Sequence, residues 1–212
     1  MPKIISLKKE FNDTLRISVS ILNQGGLIVF PTDTVYGLGG KYDNPEAIHK
    51  IYEVKGREQT KALAVLIGEL SQIPLVAEFV SNLGVKLTNH FWPGGLTVVV
   101  QKNAKITTAL SKDNSIGIRI PNDPFVRQLC REVGPLANTS ANLSGFPNTT
   151  NVYEVIDQLG DRVDLVIDNG ECKGGIPSTV IDCRDDQLKI LREGIISRKQ
   201  IESFLKNDAV YP

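Results

Sequence analysis

Apolar residues recur at helical spacing near the start of the chain. Leu15, Val19 and Leu22 share one face of an amphipathic helix over residues 12–24, which Gly25-Gly26 stops. The next four residues, "LIVF" (27–30), are uninterruptedly apolar, as in a strand covered on both faces. Asn44 before Pro45 predicts a helix with Asn as its N-cap and Pro at its first position, running through Ile48, Ile51 and Val54 to "KGRE". "ALAVLI" (62–67) predicts a second buried strand. Residues 71–91 predict a helix in two pieces, interrupted at Pro74 and Gly84, and "LTVVV" (96–100) predicts a strand.

The segment "SIGIRI" (115–120) alternates. Ile116, Ile118 and Ile120 face a core, while Ser115, Gly117 and Arg119 share the other face. That second face carries a hydroxyl, an absent side chain and a guanidinium in a row. A helix follows with Phe125, Val126, Leu129, Cys130 and Val133 on one side, then a strand over 135–141 that runs into a polar loop. Asn151 and Glu154 have capping-box spacing for a helix at 152–159. Strands are predicted at 163–168, 178–183 and 187–191, and a last helix starts at Ser197 with Gln200 as its capping partner. The pattern predicts one α/β domain over 1–212, a mixed twisted open sheet with helices on its faces.

Composition narrows the chemistry. The 212 residues carry 24 basic and 24 acidic side chains, so no global field draws the chain to nucleic acid or to an anionic membrane, and an anion site must be local. Cys130, Cys172 and Cys183 form no C-x-x-C pair, and His49 and His90 are the only histidines. Neither a disulfide framework nor a zinc cage fits this. The start of the chain lacks an apolar leader, and no apolar run approaches the ~18 residues of a membrane span, so a cytoplasmic protein is expected.

Three polar clusters stand where strands end, the usual place for ligands in open α/β sheets. Thr32-Asp33-Thr34 with Tyr36 can orient a polar ligand, with Gly37, Gly39 and Gly40 letting backbone come close; the same residues also suit an ordinary turn, with Asp33 in an Asx-turn. Lys55, Arg57 and Lys61 supply cations for a polyphosphate, or complement the dipole at a helix end. "NTSANLSG" (138–145), with "NTT" beyond it, offers donors and acceptors to a nucleotide or forms a long polar turn. Ser178-Thr179 and Arg192 repeat the theme. The phosphate-binding P-loop, the dinucleotide fingerprint and the G-x-S-x-G nucleophile elbow are all absent. The residues point to binding and charge stabilisation rather than to a protein nucleophile.

Seven segments, "FPTDTVYGLG", "KGREQTKALAVLI", "FWPGGLTVVV", "SIGIRIPNDP", "NTSANLSG", "PSTVID" and "LREG", resemble in order the YrdC-like threonylcarbamoyl-AMP synthases, over a core of about residues 15–195. The resemblance implies an α/β fold with a concave, positively lined cavity, followed here by a C-terminal helix at 197–206. It implies formation of threonylcarbamoyl-AMP and pyrophosphate from L-threonine, bicarbonate or CO2, and ATP. Mg²⁺ would be held mainly by the ATP phosphates, with no dedicated protein ligand. A partner transferase complex would then modify a tRNA adenosine beside the anticodon. By position, Thr32, Arg119 and Ser178 would bind L-threonine. Lys55, Arg57 and Lys61 would hold phosphates and carry catalysis. Ser115, Ser140, Asn142, Asn148 and Arg192, with Lys55 and Arg57, would surround ATP.

The sequence departs from the family pattern at Glu58, where proline often follows the arginine of K-x-R, and at Asn148-Thr149-Thr150, where Ser-Pro-Thr is common. About 20 residues follow Arg192, fewer than a further domain needs, so either a short form or a piece holding the catalytic domain alone is expected. An alternative is a module binding tRNA or double-stranded RNA without turnover, which the zero net charge disfavours. Related domains within carbamoyl-transfer enzymes for metallocentre assembly carry acylphosphatase-like and zinc-finger segments, which this sequence lacks.

Overall fold

The computed structural model describes residues 2–8 and 10–208. The chain opens with β1 (Lys3–Ser6) and α1 (Phe11–Asn23), then β2 (Ile28–Phe30), β3 (Gly37–Lys41), α2 (Pro45–Lys55) and β4 (Ala64–Leu66). A 3₁₀ turn leads into α3 (Ile73–Val76), followed by β5 (Ala77–Phe79), α4 (Asn82–Phe91), β6 (Leu96–Lys102) and β7 (Ser115–Arg119). The remainder is α5 (Pro124–Val133), β8 (Leu136–Ser140), α6 (Val152–Leu159), β9 (Leu165–Asp168), β10 (Thr179–Asp182), β11 (Lys189–Arg192) and α7 (Arg198–Asp208).

One mixed sheet holds all the strands, in the order β1-β9-β2-β3-β8-β4-β7-β6-β10-β11, with β5 added beside β6. The predicted caps form. Asn44 accepts from the N–H groups of Glu46 and Ala47, and Ser197 and Gln200 bond reciprocally ahead of α7. Asn151 caps α6, but Glu154 takes the N–H of Thr150, one residue further back than a capping box requires.

Two faces of the sheet are treated differently. Val29, Leu38, Val65, Val98, Ile118 and Ile181 point into a core closed by α2, α4, α6 and α7. On the other face Ile28, Phe30, Leu66, Leu136 and Leu165 pack under α1 and α5, through Leu22 and through Phe125, Leu129 and Val133. That cover stops at β4 and β8. Beyond it, Thr97, Val99, Gly117, Arg119 and Val180 meet a cavity rather than a helix. The alternation seen in residues 115–120 records this change: its isoleucines are buried below, and its polar face has no helix above.

Three expectations need correction. The centre line of α1 is Thr14, Ser18 and Leu22, with Leu15 and Val19 only flanking it; Ser18 donates to the Thr14 carbonyl at 2.7 Å, so its hydroxyl is satisfied within the helix. Residues 71–91 are not one interrupted helix, because β5 intervenes and pairs with β6. Gly84 does not break α4; it sits in its first turn, where a Cβ would lie 2.8 Å from Val80 and 3.1 Å from Cys183.

Nor are the glycines after Tyr36 simply a ligand-admitting turn. They form β3, the antiparallel link between β2 and β8. A Cβ at Gly39 would lie 2.9 Å from the Phe30 ring and 3.3 Å from the Ala137 carbonyl, and one at Gly40 would lie 2.9 Å from Leu27. Only Gly37 lines the cavity. Gly39→Val should therefore destabilise the protein by about 1–3 kcal/mol despite valine's strand preference. Urea unfolding should show a lower midpoint, and adding Phe30→Leu should recover part of the loss. An unchanged midpoint would mean that the ring has room to move.

Candidate active site

The uncovered part of the sheet floors a cavity of about 270 Å³. Arg119, at the end of β7, projects from that floor and is buried. Its Nε donates to the Gly94 carbonyl at 2.8 Å, Nη1 to the Thr34 hydroxyl at 3.0 Å and Nη2 to the Asp33 carboxylate at 2.6 Å. One side chain thus ties β7 to the loop after β2 and to the turn before β6. Burial lowers the Arg119 pKa and the Asp33 charge opposes that shift. Of the five guanidinium N–H groups, one remains on each terminal nitrogen.

Thr34 passes the network on. Thr32 and Thr34 hydroxyls are 2.9 Å apart, and Thr32 also contacts the Val35 carbonyl at 2.7 Å. A guanidinium only donates, so Thr34 accepts from Arg119. Directing the Thr32 hydrogen to Val35 leaves Thr34 to donate to Thr32. Both hydroxyls line the cavity.

A second node closes the far wall. The Ser178 hydroxyl is 2.8 Å from that of Thr97, and Arg192 donates to both the carbonyl and the hydroxyl of Ser178. Gly194 allows this pairing, because a Cβ there would lie 2.3 Å from the Pro177 carbonyl. Across the cavity, Gly56 takes the left-handed conformation (φ 58°) that ends α2 and turns the chain toward Arg57. Arg57 bonds the carbonyls of Lys61 and Ala62 at 3.2 and 3.0 Å. Arg57, Arg119 and Arg192 all line the cavity, and none of the lining residues is acidic. Burial lowers the pKa of Arg192, and the charges of Arg119 and Arg57 lower it further, as expected of three cations around one space.

The remaining candidate residues divide. Ser140 lines the cavity with Thr32, Arg57, Arg119, Ser178 and Arg192. Ser115 lies on the cavity side of β7 but outside the lining, four residues and about 13 Å from Arg119. Lys61 is exposed and pairs with Glu58 at 3.6 Å. Asn142 donates to the Leu143 and Phe146 carbonyls at 2.9 and 2.7 Å, and so shapes its own loop. Asn148 is half-buried in that loop, away from the lining. Lys55 is buried, with its ammonium directed at the Ser140 carbonyl (2.6 Å) and at the backbone and side-chain oxygens of Asn142. It braces the cavity wall from behind.

Sequence reasoning left Asp33 as an open turn residue and did not single out Thr97. Both gain their places from contacts with residues 86 and 81 positions away, which no local pattern carries. Among the described residues, no group of three or more His, Cys, Asp or Glu side chains forms a metal site, and no helix is long and apolar enough to cross a membrane.

Residues 20–194 match the Sua5/YciO/YrdC family model, described as "Telomere recombination". The chain belongs to this family. It is 40% identical over 176 residues to a relative from Methanocaldococcus jannaschii, with 83% of each chain covered. The threonylcarbamoyl-AMP synthase of Bacillus subtilis is 36% identical over 194 residues, which cover 89% of this chain and 55% of that one. The crystal structure of P. abyssi Sua5 complexed with L-threonine matches with a TM-score of 0.91 at 29% identity, over 97% of this chain and 61% of that one. The chain thus spans a little over half the length of those last two relatives.

The K-x-R lysine of this family member offers a test. Burial, reinforced by Arg57, pushes the Lys55 pKa down to about 7. An unfolded lysine keeps its proton to about 10.4. Between these values the unfolded state binds more protons, so stability rises with pH, by at most about 1.4 kcal/mol per unit. Relative to Lys55→Met, the wild type should gain stability from pH 7 to 10 in chemical unfolding. A constant difference would show that the oxygens around the ammonium hold its proton throughout.

Proposed function

We propose that this chain is a threonylcarbamoyl-AMP synthase, a nucleotidyltransferase that joins L-threonine, CO2 or bicarbonate, and ATP. The observation that carries the reading is the cavity with three guanidinium groups and no acidic lining residue, in a chain of this family. The reaction must bring a carboxylate-bearing substrate against a triphosphate, and two such anions repel each other unless cations stand between and around them.

In this reading the threonine carboxylate takes the two free N–H groups of Arg119, beside the hydroxyls of Thr32 and Ser178. Arg57 and Arg192 hold the nucleotide phosphates. Ser140 and, further along the sheet, Ser115 meet the rest of an elongated ATP. Lys61, freed from Glu58, reaches the phosphates from the rim. Lys55 and Asn142 act on the wall that carries Ser140, and Asn148 is the outermost nucleotide contact. Threonine's amine adds to CO2 and loses a proton, giving a carbamate. A carbamate oxygen attacks the α-phosphorus, the bond to the β-phosphate oxygen breaks, and pyrophosphate leaves. Holding the two reactants in line and balancing their charge supplies the catalysis. A cavity lining without carboxylates does not fit a protein-held Mg²⁺, so any such ion comes with the nucleotide. The product would serve a transferase that modifies tRNA. One continuous sheet supplies the cavity floor, which supports a single catalytic domain.

Pyrophosphate release should require ATP, L-threonine and bicarbonate together, and mass spectrometry should find threonylcarbamoyl-AMP. Arg119→Ala should weaken threonine binding by about 2–5 kcal/mol, more than it weakens ATP binding. Release indifferent to threonine would point to another acceptor. Salt-sensitive RNA binding without release would favour a binding module.

A further inference from the structure

Strand register sets residues on the cavity side of the sheet in three rows. Arg119 stands level with Leu66 and Leu136. Two residues along, Gly117, Ala64 and Asn138 lie level with Gly39. Two residues further come Ser115 and Ser140. Each step is about 6.6 Å, so the middle row lies between the arginine and the serines. Its members are Gly and Ala, apart from Asn138.

Asn138 lines the cavity, and its Oδ1 is buried without a hydrogen-bond partner among the described residues. A buried amide oxygen left unpaired is costly, and native proteins seldom keep one without a use. The space it occupies exists because residue 37 is glycine: a Cβ there would lie 2.7 Å from Oδ1. The neighbouring polar groups at Arg119, Thr32, Thr34 and Ser178 already have protein partners. Asn138 thus brings to the cavity floor an amide whose oxygen has no protein partner, in space that Gly37 leaves.

We propose, resting on the synthase reading above, that Asn138 is a positioning residue for the carbamate formed from threonine. With the threonine carboxylate at the Arg119 row and the nucleotide at the serine row, the reacting group lies over the middle row. A carbamate carries an N–H and a carboxylate oxygen side by side. A primary amide presents the complementary edge: Oδ1 accepts from the carbamate N–H and Nδ2 donates to its oxygen. The pairing fixes rotation about the carbamate C–N bond and aims the other oxygen at the α-phosphorus. Threonine's ammonium alone cannot make both contacts.

The test measures steady-state pyrophosphate release against bicarbonate concentration, with calorimetric affinities for threonine and ATP. Asn138→Ala should raise the bicarbonate KM about tenfold or more, as loss of two hydrogen bonds implies, while threonine and ATP affinities stay within about threefold. Its melting temperature should be no lower than wild type, since an unpaired buried atom is removed. Asn138→Asp, of the same shape, should be slower than Asn138→Ala because it sets a carboxylate beside the carbamate. An unchanged bicarbonate KM in Asn138→Ala, wild-type behaviour of Asn138→Asp, or rate loss accompanied by a lower melting temperature would overturn the proposal. No threonine- and bicarbonate-dependent release by wild type would overturn the synthase reading beneath it.

Discussion

The cavity depends on the seat of one guanidinium. Arg119 is buried at the end of its strand, level with Leu66, and it would be an uncompensated buried charge without Asp33. The carboxylate answers the charge, Thr34 and the Gly94 carbonyl take two further N–H groups, and the loop after β2 is thereby held against the sheet. Removing a buried charge from water is costly, and breaking such a pair leaves that cost uncompensated. The interaction therefore sets the cavity's shape and leaves two N–H groups on the guanidinium unspent.

Around this seat the sheet does two jobs by a difference in cover. Helices close one face over its central strands, and on the other they stop at β4 and β8. Where they stop, the side chains change from large and apolar to small or polar: Ala64, Gly117, Thr97, Asn138. Close packing demands partners for large apolar groups, so a strand face that carries small and polar ones can be left open at little cost. The cavity is thus an absence of helix written into alternate positions of several strands.

Charge is arranged with the same economy. A chain of zero net charge concentrates three arginines around one space and keeps acidic residues out of its lining. Asp33 pairs with the arginine, and Glu58 pairs with Lys61 on the surface. Lys55 is different: its ammonium is spent on backbone oxygens, so its motif position reflects the integrity of the wall that presents Ser140 as much as any contact with phosphate.

The sequence by itself determined most of the elements, because helix periodicity, strand alternation and capping residues act over a few positions: Asn44-Pro45, Ser197 with Gln200, and the isoleucines of 115–120 are legible without neighbours. It also determined the family, through seven motifs in order. β3 escaped because three glycines offer no side-chain pattern; their reason is Phe30 and Leu27, contacts made only after folding. β5 escaped because three residues beside a proline-containing turn carry too little periodicity. Tertiary structure alone decided which polar residues converge. It joined Asp33 to Arg119 and Thr97 to Ser178, turned Lys55 and Asn142 toward each other, and left the Asn138 amide oxygen without a partner among the described residues. Those outcomes depend on strand order and register, and a hydrogen bond between residues 80 or more positions apart leaves no trace in local spacing.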